Sequence, residues 1–199
     1  MSKTMIRVIL GVVIVVIALW SMSLYNGMLS LDEEVKAKWS QVLNQYQRRA
    51  DLIPNLVSTV KGYADHEEKV FIEVAKARSQ VGSVNITADD LTDPKKMEQF
   101  QQAQGELKSA ISRLLLVAER YPELKSNQNF LELQAQLEGT ENRIAVERMR
   151  YIDIVKTFNT KVRRMPQAIL LGLMGFDPIV QFGVENEAEI NSVPEVSFE

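Results

Sequence analysis

There is no cysteine among the 199 residues, so disulfides, thiol catalysis and cysteine-ligated zinc are excluded at the outset. Their absence leaves the redox compartment open. Histidine occurs once, as His66, which removes the paired Glu-x-x-His motifs of di-iron helical bundles. Positive charge is not in excess either. Lys and Arg total 23 against 26 Asp and Glu, a formal net charge of -3 that argues against a nucleic-acid partner. Glycines such as Gly82, Gly172 and Gly175 belong to no phosphate-binding pattern, because the strand and helix that such loops need are missing around them. With that kit absent, no catalytic, cofactor-binding or metal-ligating residue is assigned and no cofactor is expected.

What is present starts with a long apolar run. Residues 8–20 (VILGVVIVVIALW), extended by Met5, Ile6, Met22 and Leu24, make about 20 residues, enough to cross about 30 Å of hydrocarbon. Arg7 interrupts it close enough to one end to snorkel towards the headgroups. A cleaved signal peptide is the alternative, but Ala18-Leu19-Trp20 offers a poor cleavage site and the run is long for an h-region. Lys3 and Arg7 favour a bundle outside the cytoplasm; Lys36 and Lys38 oppose them and support the cytoplasmic alternative.

Heptad spacing organises the remainder. Phe130, Leu137, Ile144, Tyr151 and Phe158 form one stripe, thickened by Leu133, Ile154, Val155 and Val162. Phe100, Leu107, Leu114 and Tyr121 form another, supported by Ile111 and Ala118. Such seams suit helices packed near 20° to one another. Asp93 then Pro94 reads as an N-cap with proline at the first helical position, so helices are predicted over about 95–121 and 127–164. An earlier stripe runs through Val35, Val42, Arg49, Leu56, Tyr63, Val70 and Ala77, with Trp39, Tyr46, Ile53, Val60, Glu67, Val74 and Val81 beside it. Trp39 and Tyr46 are core positions, the Tyr46 hydroxyl being expected near solvent. Asn26-Gly27 marks a break from the membrane helix, and Ser30 with Glu33 a capping box. Pro54 keeps the phase, which predicts a kinked but continuous helix over 31–81; two helices breaking near Asp51 are the alternative. Residues 82–93 read as a polar loop, and 166–176 as a short apolar helix with Gly175 at its C-cap. That helix caps one end of the bundle or presents a patch for a partner or membrane surface.

These residues carry a resemblance. The stretches RRADLIPNLVSTVKGYADHE (48–67), ERYPELK (119–125) and NFLELQAQLEGTENRIAVER (129–148) resemble the LemA family. Tyr25-Asn26, Trp39, Ala77-Arg78, Phe158-Asn159, Pro166 and the 194–198 segment PEVSF fall in the family's order too. The resemblance covers almost everything beyond the apolar run. It implies a single-pass bacterial membrane protein with an up-and-down helical bundle, and it carries over no reaction and no catalytic residue. Tyr151 is followed by Ile152-Asp153 where the family often shows another Tyr-Asn pair, which weakens the case for a site built on a repeated pair.

The candidate polar residues are charges on apolar stripes: Arg49 and Glu67 on the first, Glu141 and Arg148 on the last, with Arg78 and Glu119 nearby. The first reading is a set of buried ion pairs that fix register, with Arg49, Glu67, Glu141 and Arg148 mutually paired. A polar pocket for a small ligand is the second. Catalysis by carboxylates is the third, and requires the bundle to bring Glu67, Glu119 and Glu141 together. His66 is read as a rim residue and not a proton shuttle. Lys161, Arg163 and Arg164 sit where a helix C-terminal dipole favours them; a phospholipid-headgroup role requires the cluster to lie near the membrane.

The sequence thus predicts an all-α chain: a transmembrane anchor over 1–28, an antiparallel up-and-down bundle of three long (or four) helices over 29–180, and an acidic, loosely held tail over 181–199, with Val196 and Phe198 available to pin its end. Its expected role is a membrane-anchored interaction or scaffold protein of the bacterial cell envelope, held by its anchor and bound to a protein partner there. The alternative is a ligand-binding or enzymatic bundle built on a buried carboxylate–arginine cluster.

Overall fold

The computed structural model describes residues 3–183, and the described residues are all-α, with no strand among them. Helix α1 is Lys3–Lys61, α2 Glu68–Ser83, α3 Pro94–Ala118, α4 Pro122–Lys125, α5 Gln128–Arg163 and α6 Gln167–Leu173; a 3-10 turn occupies Ala88–Thr92. The bundle uses four of these, with α1 lying along α5 and α2 along α3. Most of the expected tail, with Val196 and Phe198, lies outside the described residues.

Local chemistry sets the helix ends. The Asp93 carboxylate accepts the Lys95 backbone N–H at 2.9 Å, and Pro94 occupies the first helical position of α3. Asn127 caps α5 by accepting the Phe130 N–H at 3.1 Å. Pro122 ends the preceding turn and opens α4. After α6, the Phe176 N–H reaches Leu171 O at 3.0 Å and the Gly175 N–H reaches Gly172 O at 3.2 Å, the paired bonds of a Schellman motif. Gly175 stands there at φ +83°, a conformation that favours glycine. In the 82–93 loop, Thr87 and Asp90 bond reciprocally. The Lys96 ammonium beside Asp90 and the Thr87 donors hold that carboxyl well below its usual range.

Two expectations about the first helix are corrected. Asn26-Gly27 is no break: α1 is a single helix of 59 residues, about 88 Å long, and the proposed capping box at Ser30 lies in its interior. A glycine costs a helix only about 1 kcal/mol, and buried Met28 and Val35 hold the helix to the bundle just beyond it. Nor does the helix run on to residue 81, or break near Asp51. It ends at Lys61, and residues 62–67 turn the chain around buried Ala64 into α2.

Pro54 sits inside α1 without ending it, and Arg78 supplies a reason. Proline has no N–H to give to the Ala50 carbonyl one turn earlier. Arg78 on α2 directs its Nε–H to that carbonyl at 3.4 Å, a long bond that serves the orphaned acceptor.

The core falls into two clusters. Ile53, Leu56, Val60, Val74, Leu107, Leu114, Phe130 and Leu137 fill the half away from the apolar run. Trp39, Tyr46, Phe100, Tyr151 and Phe158 centre the nearer half. Helix α2 is too short to reach this nearer half, so other segments close it: Ile86 and Leu91 from the loop, and Ile179 and Phe182 from an extended strap after α6. The Asn159 side-chain amide clamps the strap, giving its N–H to Ile179 O and accepting the Ile179 N–H, both at 2.8 Å. The Val180 N–H reaches Leu91 O at 2.9 Å. Packing therefore continues past residue 180, the expected end of the bundle.

The Arg78 role has a measurable signature in thermal melts of the detergent-solubilised full chain. Arg78→Ala should cost roughly 0.5–1 kcal/mol. In a Pro54→Ala background, where an N–H at position 54 again reaches the Ala50 carbonyl, the same change should cost less than half as much. Equal costs in the two backgrounds would detach Arg78 from the proline.

Candidate functional site

A polar layer lies between the two apolar clusters. Arg49 projects from α1 and is 2% exposed. Its Nη1 donates to Glu141 Oε1 of α5 at 2.6 Å, and its Nη2 donates to Gln104 of α3, to Oε1 at 2.5 Å and to the backbone O at 3.1 Å. The guanidinium carbon also lies 5.1 Å from the centroid of the Tyr46 ring. One guanidinium thus ties three helices together. In the observed register Arg49 and Glu141 fall at facing positions of antiparallel α1 and α5, as Trp39 and Tyr151 do two to three turns away.

The six candidate residues do not form one cluster. Only Arg49 and Glu141 meet. Glu67, in the α1–α2 turn, pairs with exposed Arg120 at 2.9 Å. Glu119 pairs with Lys125 at 2.5 Å on the surface. Arg78 serves the Ala50 carbonyl, and Arg148 lies over the Phe182 ring, 4.5 Å from its centroid. The expected mutual pairing of Arg49, Glu67, Glu141 and Arg148 is therefore corrected, and the carboxylates of Glu67, Glu119 and Glu141 do not come together. Glu67 faced no opposing helix at all: the stripe that seemed to contain it had already turned a corner.

Gln104 is not among the stripe charges, although the sequence carries a signal for it. It shares a heptad row with Met97, Ile111 and Ala118, where it is the one polar residue. Its role requires the cross-helix contact, because nothing within α3 reveals that an arginine will face it.

Below the polar layer the aromatic rings lock together. Trp39 contacts Phe100, Tyr151 and Phe182 at centroid separations of 5.5, 5.3 and 5.8 Å, and Tyr46 meets Phe100 edge-on at 5.2 Å. Tyr46 is buried, as its reading as a core position expects, and it borders an open surface cleft with Gln47 and Arg78. Burial pushes the Tyr151 phenol above its ordinary pKa, so the neutral hydroxyl faces Val180 O at 3.3 Å. Trp39 Nε1 and Arg49 Nε are buried without hydrogen-bond partners. His66 is exposed, as its reading as a rim residue expects. Among the described residues no group of His, Asp or Glu is arranged to hold a metal ion.

At the other end of α1 the apolar run stands clear of the bundle. It lies within the one helix, among the described residues, that is long and apolar enough to cross a membrane, and its most apolar 18-residue window buries none of its residues in the protein. Just beyond it Leu24 packs on the core, Tyr25 meets Phe176 at 5.8 Å and Met28 is fully buried.

Comparisons with known proteins identify relatives of this chain. The family model described as LemA family matches residues 38–198. Magnetosome protein MamQ 2 of Paramagnetospirillum magneticum is 25% identical over 171 residues, covering 76% of this chain and 62% of that protein. Magnetosome protein MamQ of Magnetospirillum gryphiswaldense is 24% identical over 174 residues, covering 79% and 64% respectively. Protein LemA of Metamycoplasma hominis is 20% identical over 137 residues, covering 69% and 58%. The chain thus spans less than two thirds of the length of these curated relatives.

The polar layer makes a graded prediction for full-chain melts. Arg49→Ala should cost about 3 kcal/mol, because it strands Gln104 and Glu141; the Glu141 side chain is 35% exposed, which keeps the figure at the lower end of the range for broken buried pairs. Replacing all three by apolar residues, as Arg49→Met, Gln104→Leu and Glu141→Leu, should recover most of that loss. Glu67→Ala should stay within about 0.5 kcal/mol of the parent.

Proposed function

The chain belongs to the LemA family, and on that premise we propose that it is a single-pass envelope protein that works by binding, as a scaffold or interaction module. Residues 1–28 serve as its membrane anchor, and the bundle runs from 29 through the strap residue Phe182, ahead of an acidic tail. The observation that carries this reading is the unbroken passage of α1 from a fully lipid-suited surface into the bundle core. An apolar surface of that extent, with no protein over it, calls for a hydrocarbon environment.

Binding is favoured over catalysis because the most deeply buried charge is already committed. Two nitrogens of the Arg49 guanidinium are engaged by Gln104 and Glu141, and the carboxylates that a catalytic reading needs are dispersed over the bundle. The solvent-facing surfaces of the bundle helices remain for a protein partner in the envelope. Lys3 and Arg7 favour a bundle outside the cytoplasm.

Three measurements test the reading. The full chain should stay in the membrane pellet after carbonate washing; release, or a mature start near Ser23, overturns the anchor. A reporter active only outside the cytoplasm, fused after Glu199, should work; activity of a cytoplasm-only reporter at that position reverses the orientation. Crosslinking of the anchored chain in its own membranes should yield a discrete larger species that is lost when residues 1–28 are deleted.

A further inference from the structure

We propose that the corner between α5 and α6 is a second membrane contact, which rests the bundle on an anionic phospholipid surface beside the anchor. The inference relies on the spanning role of α1 and goes beyond it, because a helix through the bilayer does not by itself require the bundle to touch the headgroups.

Four observations converge on this corner. The first is position. Antiparallel packing brings the end of α5 back to the level where α1 leaves its apolar run, so that Lys161 and Gln167 border a cleft with Trp20, Leu24 and Met28. The second is apolar exposure. Helix α6 buries Leu171 and partly buries Met174, yet Met165 is 68%, Ile169 61% and Leu173 82% exposed. Ile169 and Leu173 are four residues apart on one face of α6, and Met165 stands exposed in the turn just before it, so a short, largely apolar helix turns one face outward next to the anchor. The third is charge. Residues 156–176 contain Lys156, Lys161, Arg163 and Arg164 and no acidic residue, within a chain whose formal net charge is -3. Cations flanking an exposed apolar face suit a layer with phosphate above and acyl chains below. The fourth is continuity with the anchor: Trp20 and Tyr25, residue types that favour the membrane–water boundary, lie at the same level. Together these favour a lipid surface over a protein partner as the occupant. A helix dipole accounts for the cations alone and leaves the three apolar side chains unexplained.

The test exploits the lack of cysteine, since each introduced thiol is the sole site for a fluorescent label. Full chains carrying Leu173→Cys, Val13→Cys or Ile72→Cys are reconstituted in vesicles of phosphatidylcholine with phosphatidylglycerol. Lipids spin-labelled at shallow or deep positions then quench the probes. The expected result is deep quenching at Val13, shallow quenching at Leu173 and none at Ile72, on the outer face of α2. Changing Lys161, Arg163 and Arg164 to Gln should lower the docked-to-undocked ratio at Leu173 by about fivefold per charge removed. A quenched Val13 with an unquenched Leu173 overturns the docking and leaves the anchor standing. An unquenched Val13 overturns the span and the docking with it. Shallow quenching of Leu173 that ignores both phosphatidylglycerol and the three Gln changes overturns the anionic assignment. Shielding of Leu173 in native membranes but not in these vesicles would give the face to a protein partner instead.

Discussion

Arg49 is held 2% exposed in the middle of a helical bundle, where an uncompensated guanidinium would cost several kcal/mol. Its donors therefore dictate what must stand opposite. Glu141 meets it from α5, and Gln104 meets it with both a side-chain and a backbone oxygen from α3. These contacts set the relative height of three helices and separate the two apolar clusters. Nothing in either cluster is so particular. Leu56, Leu107 and Leu137 would pack acceptably against other aliphatic side chains one heptad away, whereas Arg49 would face carbon there.

The remaining helix, which packs along α3, also reaches this part of α1. Pro54 leaves the Ala50 carbonyl, one residue after Arg49, without its helical donor, and Arg78 of α2 turns towards that oxygen. A backbone defect in one helix thus becomes a contact with another. On the nearer side of the layer, the shortness of α2 leaves an opening that the loop and strap fill with Ile86, Leu91, Ile179 and Phe182. The strap is held by an asparagine amide acting as a piece of β-ladder, and by Arg148 stacked on Phe182. Charges that looked alike in the sequence therefore do three different jobs: register at Arg49, backbone repair at Arg78 and ring stacking at Arg148.

Much of this was legible beforehand. Heptad stripes, the Asp93-Pro94 start and the Gly175 stop depend on interactions within a few residues, so spacing alone reveals them. The turn at 62–67 was hidden because the apolar rows of α1 and α2 happen to keep phase across it, Leu56 and Val60 being followed at heptad spacing by Val70 and Val74. Its trace was the polar interruption: Tyr63 and Glu67, the stripe residues between them, are the ones that do not enter the core. The reverse error concerned Asn26-Gly27, a turn-forming pair that tertiary packing overrides. Partner choice among the charges was not legible. Periodicity reports which face of a helix a residue occupies, but whether that face meets another helix is a property of the assembled bundle. Arg49 and Glu67 occupy equivalent stripe positions, yet one is buried in a three-helix layer and the other is tied to a surface arginine.

The register set by the polar layer also has a consequence at the far end of the molecule. In an antiparallel pair, a slip of one heptad would displace α5 along α1 by about 10 Å. The apolar rows alone would permit it, but Arg49 would then lose Glu141. The same slip would carry the end of α5, with Lys161, Arg163, Arg164 and the whole of α6, away from Trp20, Leu24 and Met28. The buried arginine holds the pair in the register that sets the corner beside the apolar run, and α1 transmits that register because it is a single helix from the apolar run to the polar layer. A charge deep in the bundle thus determines which cations and apolar side chains lie at the level where α1 leaves its apolar run. This explains why a bundle with ample apolar surface would retain a polar layer: its purpose is position, where an all-apolar seam would supply only adhesion.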